Sequence, residues 1–243
     1  MRWAGPFAAR RHAGLPGGAG PVGAPLPASA PVPAARPALR TPAWQKRALD
    51  VAVAAPGLLL LSPVLLVTAA LVAGSGPVFY RQTRVGQWGR PFRIWKFRTM
   101  AVQAAALPGT PHLTVGHDPR VTRVGRWLRA TKIDELPQLL NVLRGDMSLV
   151  GPRPEVPHYV QLAPDVYGRA LHLKPGITSV ASLVYHDESG YLGQFGDAAE
   201  RVFLEQVVPH KVELCVQYAA GATLWDDVVL MLRTALRMFR PPR

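Results

Sequence analysis

The sequence has a single cysteine, Cys215, so it cannot form an intramolecular disulfide; this is compatible with a cytoplasmic setting without establishing one. Negative charge is scarce: 15 Asp and Glu stand against 28 Lys and Arg, giving a formal net charge of +13. There is no Gly-x-x-x-x-Gly-Lys-Ser/Thr phosphate loop, no zinc-spaced Cys/His set and no Gly-x-Ser-x-Gly elbow. These absences remove the sequence support for P-loop nucleotide hydrolysis, finger-type zinc binding and α/β-hydrolase chemistry. There is no internal repeat, and 243 residues suit one domain with room for an appendage. What is present is apolar material, 49% of the chain, together with the excess of cations. That pairing suits a protein that meets both apolar surfaces and anions, whether lipid headgroups, phosphates or nucleic acid.

Charge is missing altogether from Val51 to Tyr80, and the centre of that stretch, Gly57 to Val67, is strongly apolar. Its length and hydropathy satisfy the requirement of about 20 residues for a transmembrane helix. Ser62-Pro63 sits in the middle, however, where proline removes a backbone hydrogen bond. Each half is about 11 residues, or roughly 16 Å, too short to cross a hydrocarbon layer of about 30 Å alone. A bent helix entering and leaving by one face fits these facts, and so does a straight helix with a tolerated kink. Lys46 and Arg47 precede the segment, and Arg81, Arg84, Arg90, Arg93, Lys96 and Arg98 follow it, which favours cytoplasmic ends on both sides.

Three regions follow from this reading. Residues 1–43 are rich in Ala, Pro and Gly without apolar periodicity and are expected to be disordered. The pair Arg10-Arg11 resembles part of an export signal but lacks the apolar run that should follow. Residues 44–77 form the membrane helix, and 78–243 the remaining domain. Within the domain, Val78 to Arg98 reads as a β-hairpin turning at Gly86-Gln-Trp-Gly89. A loose Ala/Pro/Gly loop runs on to about His117. Helical patterns occupy 135–144, 201–219 and 224–239. The last carries Trp225, Val228, Val229, Leu232, Leu236 and Phe239 beside Arg233, Arg237 and Arg240, as either a membrane-surface helix or a core helix would. The fold class is α+β, mostly helical.

The densest polar stretch is Asp118 to Gln138. Its cations, Arg120, Arg123, Arg126, Arg129 and Lys132, recur every third residue, so on an α-helix they drift by about 60° per step and spiral. A single nucleic-acid-binding stripe is therefore poorly supported. Asp134-Glu135 follows, with Pro137 in the first turn of a helix running to Arg144, and Asp134 is expected to be its N-cap. A carboxylate at the positive end of a helix favours its charged form, and Arg129 and Lys132 beside it attract phosphate. Such a carboxylate can act as a nucleophile toward phosphorus or hold a divalent metal. Pro152 and Pro154 fix the backbone on either side of Arg153, which presents a guanidinium with little freedom.

The ordered set Lys46-Arg47-x-x-Asp50, Ser62-Pro63, Gly76-Pro-Val-Phe79, Gln82 with Arg84-Val-Gly86, Lys96-Phe-Arg-Thr-Met100, Asp118-Pro-Arg120, Asp134-Glu-Leu-Pro-Gln138, Asn141 to Pro154 and Lys174-Pro-Gly-Ile-Thr178 resembles the bacterial sugar transferase family. These are the monotopic phosphoglycosyl transferases that initiate lipid-linked polysaccharide synthesis. The resemblance implies a monotopic membrane protein on the cytoplasmic face of the bacterial inner membrane. It implies a re-entrant helix broken at Ser62-Pro63, amphipathic interfacial helices and membrane lipids as surroundings. It further implies that Asp134 attacks the β-phosphate of a UDP-sugar, UMP leaves, and polyprenyl phosphate then takes the sugar phosphate from the aspartyl intermediate. Glu135 is then the second essential carboxylate, and Asp134 with Glu135 binds Mg²⁺. Lys96, Arg98, Arg129, Arg153, Pro152 and Pro154 would line the substrate. A homo-oligomer is compatible with all of this.

After Gly176-Ile-Thr178 the chain reads Ser179-Val-Ala-Ser-Leu-Val-Tyr185, a departure from the family's usual Gly and aromatic-Gln-Val stretch that bears on the choice of sugar. A membrane-anchored nucleic-acid binder would explain the charge but not adjacent carboxylates amid the cations, so no nucleic-acid partner is expected. A silent scaffold for polysaccharide assembly would keep full function with Asp134→Asn.

Overall fold

The computed structural model describes residues 40–74, 76–102 and 118–238. The Arg10-Arg11 pair, residues 1–39 of the expected disordered segment, most of the loop before His117, and Phe239 and Arg240 lie outside the described residues. The described architecture is mostly helical, with two small two-stranded sheets. A long apolar helix, α1 (Ala43–Ala73), leads into an antiparallel hairpin of β1 (Phe79–Val85) and β2 (Pro91–Phe97). Then come α2 (Arg123–Ala130), a 3-10 turn (Ile133–Gln138), α3 (Leu139–Arg144) and β3 (Ser148–Val150). Helices α4 (Pro157–Leu162) and α5 (Pro164–Gly168) precede β4 (Gly176–Thr178), which pairs with β3 in parallel. Helices α6 (Val180–Val184), α7 (Glu188–Gly193), α8 (Ala199–Val202), α9 (Val208–Gly221) and α10 (Leu224–Met238) complete it.

Helix α1 runs unbroken for 31 residues with Pro56 and Pro63 inside it. Proline 63 cannot donate to the carbonyl of Leu59, and the Ser62 hydroxyl donates to that carbonyl instead, at 2.7 Å. The Ser-Pro pair thus removes one donor from the ladder and supplies another. At roughly 46 Å the helix exceeds the hydrocarbon thickness of about 30 Å.

One side of α1 packs along its whole length. Arg47 donates to the carbonyls of Val142 and Leu143, and buried Asp50 accepts from Ser148 Oγ and Leu149 N at 3.0 and 2.8 Å. Ala54, Leu58 and Leu61 join a core with Ile94, Leu139 and Val142, while Leu65, Ala69 and Val72 join one with Phe97 and Leu128. These positions recur every three or four residues, as one face of a helix must. The opposite arc is also apolar yet open: Leu59, Leu60, Leu66, Val67 and Leu71 are 54–80% exposed. An apolar strip of this length is costly in water and well solvated by lipid tails.

Helix α10 divides its apolar residues between two faces. Trp225, Leu232 and Leu236 face outward, while Asp227 and Leu230 turn inward. Asp227 is held by Lys46 at 2.5 Å and by the Tyr218 hydroxyl at 2.9 Å, so the starts of α1 and α10 are tied together. The α8–α9 rod contains a π-turn at Phe203–Val207. Proline 209 cannot donate to Glu205 there, and the Val208 amide reaches Phe203 instead.

Two backbone crossings position the site. Asn141 is fully buried, accepts from Trp95 N at 3.0 Å and donates to Arg93 O at 2.8 Å, fixing α3 against β2. At the β3–β4 pair, a Cβ on Gly176 would lie 2.1 Å from Gly151 N, and one on Gly151 would lie 2.2 Å from Lys174 O. Neither strand tolerates a side chain where they cross. Gly176→Ala is expected to lower stability by about 3 kcal/mol or more, read as a depressed thermal midpoint with loss of activity.

Candidate active site

The carboxylates lie on the turn that follows α2. Thr122 caps α2 by accepting from Gly125 N at 2.9 Å, and the helix ends at Ala130. Lys132 then takes a left-handed backbone, φ +57°, and turns the chain into the 3-10 element. The helical start therefore falls at Ile133, which corrects the expectation for Asp134. It is not an N-cap; it sits inside the first turn and its side chain caps no amide.

Asp134 and Glu135 are both buried, at 6% and 8% exposure, but their surroundings differ. Glu135 Oε1 accepts from Lys96 Nζ at 2.9 Å and Arg153 Nη2 at 2.6 Å, and Oε2 accepts from Arg153 Nη1 at 3.3 Å. Burial pushes its carboxyl upward, yet Arg153 and Lys96 outweigh burial and hold it well below the usual range. Asp134 Oδ1 is buried with no hydrogen-bond partner among the described residues. Burial first, and then the charge of Glu135, raises its pKa to about 6 against the pull of Lys96, Lys132 and Arg129. One carboxylate is thus locked in ion pairs, and its neighbour is desolvated with an open oxygen.

Burial also lowers the pKa of Lys96, with Glu135 opposing. Arg129 donates Nε to Thr99 Oγ1 at 2.9 Å and lies close enough to Asp134 to bias its charge. Arg98 is held apart from the carboxylate pair. Its guanidinium is buried at the end of α1, where it donates to Val72 O at 3.2 Å. Helix C-termini leave carbonyls open, and this arginine takes one. Pro152 and Pro154 act through their carbonyls, which accept from Gly176 N at 2.9 Å and Arg84 Nη1 at 3.2 Å. They hold the loop that aims Arg153 at Glu135.

Among the described residues no group of three or more His, Cys, Asp or Glu gathers to hold a metal. The expected pair still fits Mg²⁺ of the kind completed by substrate phosphates, which takes one or two carboxylates. Asp134 Oδ1 is open, and Glu135 has one of about four lone-pair sites left after Lys96 and Arg153.

Beyond Arg153 lies a cavity whose wall includes Tyr167, Ala181, Val208, Lys211, Val212 and Cys215. Glu155, also on its wall, pairs with Arg84 at 3.6 Å and Lys211 at 3.8 Å, and Lys211 reaches Glu188 at 2.7 Å. The sequence offered no local signal for Tyr167, Glu155 or Lys211, which are drawn together only by the packing of α5 and α9 around the Arg153 loop.

A desolvated carboxylate beside an ion-paired one, ringed by cations, makes a site for phosphate chemistry; here it is carried on a domain with a lipid-compatible helix along one side. The family model described as bacterial sugar transferase matches residues 41–241, and the chain belongs to that family. It is 39% identical over 199 residues to the UDP-glucose:undecaprenyl-phosphate glucose-1-phosphate transferase of Escherichia coli K12, covering 80% of this chain and 40% of that protein. A protein of the same name from Caulobacter vibrioides is 41% identical over 196 residues, covering 78% of this chain and 68% of the relative. The UDP-N-acetylgalactosamine-undecaprenyl-phosphate N-acetylgalactosaminephosphotransferase of Aeromonas hydrophila is 39% identical over 201 residues, with shares of 79% and 43%. The chain therefore spans about two-fifths of the length of some of these relatives and two-thirds of another. Relatives of equal identity are named for different sugars, so identity does not select the donor.

Proposed function

We propose that the protein is a phosphoglycosyl transferase that moves a sugar-1-phosphate from a UDP-sugar to undecaprenyl phosphate, releasing UMP. The observation that carries the reading is the contrast between Asp134, buried with an open Oδ1, and Glu135, ion-paired with Lys96 and Arg153. In the first step Asp134 Oδ1 forms a bond to the sugar-bearing phosphorus while the bond from that phosphorus to the UMP oxygen breaks. In the second, a phosphate oxygen of the lipid attacks the same phosphorus, frees the Asp134 carboxylate and leaves a diphosphate-linked lipid sugar. Arg129, Arg153 and Lys96 offset the phosphate charge, and Lys96 is close enough to follow the charge as it shifts. Mg²⁺, held by Asp134 and Glu135 with the donor's phosphates, would supply further charge neutralisation.

On this reading α1 bends at Ser62-Pro63 once it is in the membrane, so that the continuous helix enters and leaves at the cytoplasmic face with that pair at its deepest part. Support comes from the basic flanks and from the fact that both ends of α1, at Asp50 and at Val72, are held on the same body. The outward stripe of α10 lies at the interface in the same orientation. The product would begin a surface polysaccharide or glycoconjugate.

The test is UMP release by the full chain in lipid nanodiscs, with Mg²⁺, undecaprenyl phosphate and a panel of UDP-sugars. Sugar-dependent release that disappears in Asp134→Ala is the expected result. A folded protein that releases nothing from any UDP-sugar, or an active Asp134→Ala variant, contradicts the proposal.

A further inference from the structure

We propose that the cavity beyond Arg153 receives the sugar of the donor, and that its wall favours a sugar bearing an apolar substituent, such as an acetamido group. The inference rests on the transferase reading above. Continuity comes first. Arg153 lines the cavity and also binds Glu135 through its guanidinium, so a phosphate at the carboxylates places its attached group next to the cavity. Access agrees. Of the three charged residues on the cavity wall, Arg153 is the most exposed, its side chain 35% exposed against 13% and 12% for Glu155 and Lys211.

The wall argues against the lipid. No residue of α1 lines the cavity, and α4, α5 and α9, which supply part of its wall, pack on a separate core centred on Tyr159, Leu192 and Phe203. A ligand reaching it comes from the aqueous side, as a nucleotide-sugar does. The polar inventory then sets the kind of sugar. Val160, Val208 and Val212 offer no hydrogen bonds, and Glu155 and Lys211 are held in ion pairs with Arg84 and Glu188 as well as with each other. Tyr167 is 8% exposed, and its hydroxyl is buried with no partner among the described residues. A fully hydroxylated ring would bury more donors and acceptors than this wall can pair, and each unpaired group weakens binding. A ring with one apolar substituent spares one such group, and the Tyr167 hydroxyl gains the partner it lacks among the described residues. Ala181 supplies part of the wall from Ser179–Tyr185, where the sequence departs from the usual pattern of its family.

Two variants test this in the full chain in nanodiscs, with kcat/KM measured on UDP-N-acetylhexosamines and UDP-hexoses and with inhibition by UMP measured in parallel. Tyr167→Phe removes only a hydroxyl without a hydrogen-bond partner among the described residues, so its thermal midpoint should equal or exceed wild type. Its kcat/KM on the preferred donor should fall on the order of tenfold. Ala181→Leu fills the cavity and should raise KM most for the acetamido donors, leaving UMP inhibition unchanged. Wild-type preference for unsubstituted hexoses, or an unaltered donor ranking in both folded variants, overturns the proposal. Weakened UMP inhibition also overturns it, by assigning the cavity to the nucleoside. If wild type turns over no UDP-sugar at all, the transferase reading has failed and the sugar-subsite assignment fails with it.

Discussion

Asp134→Asn should abolish UMP release and at the same time make the protein more stable at neutral pH. Folding raises the Asp134 pKa from an ordinary 3.8 to about 6, so the folded chain holds this proton more tightly than the unfolded one. Stability is then lost as pH rises between those two values, and the full penalty persists above about pH 6. At 1.36 kcal/mol per unit, the penalty is about 1 to 3 kcal/mol. The asparagine variant avoids it, and its thermal midpoint in nanodiscs should exceed wild type at pH 7.5 and match it near pH 4. In wild type the first half-reaction should rise with pH through about 6, because only the carboxylate can attack phosphorus. A variant less stable than wild type at pH 7.5 would show that the Asp134 charge is well compensated, contrary to the account of its burial. A desolvated nucleophile kept at the expense of stability is a common feature of active sites.

Glu135→Gln should behave in the opposite way, although the residue is the immediate neighbour. Removing this charge leaves Lys96 and Arg153 facing each other with their shared partner gone, 2.9 and 2.6 Å from where it stood. Breaking one member out of a buried ion cluster costs about 3–5 kcal/mol. The sign with pH also reverses. Because Glu135 is held below its ordinary 4.5, its stabilisation is complete above that value and is lost only as pH falls through its lower folded pKa. Neutral-pH denaturation therefore reads the whole loss. The change also removes a charge that raises the Asp134 pKa, so any residual activity should show its pH limb shifted below 6. Equal stability effects for Asp134→Asn and Glu135→Gln would contradict the division of roles between them.

Much of the fold was legible where a local pattern carries it. The hairpin appears at 79–97 with its turn at Gln87–Gly89, and the stripe on α10 runs through Trp225, Leu232 and Leu236 as its spacing required. The five cations do not share one helix: α2 covers only Arg123–Ala130, Arg120 pairs with Asp118, and Arg129 turns to Thr99. Lys96 and Arg153, from separate motifs, meet on Glu135 beside Asp134. What could not be read is which cation meets which anion. Lys96 and Arg153 approach Glu135 across 39 and 18 residues of chain, and Asp50 reaches Ser148 across 98. Arg98, two residues beyond Lys96, lands on Val72 because the end of α1 offers it a buried carbonyl. The cap assigned to Asp134 failed for a local reason, since the left-handed Lys132 shifts the start of the helical turn.

The central claim is that Asp134 carries the sugar phosphate covalently between donor and lipid. Its most direct test is intact-protein mass measurement after brief exposure of the full chain to a UDP-sugar and Mg²⁺ without undecaprenyl phosphate. A mass increase equal to the sugar phosphate, located at Asp134 and discharged on adding the lipid, is the predicted result. UMP release that occurs only when the lipid is present, with no adduct at any time, would mean direct transfer between the two substrates and would contradict the account.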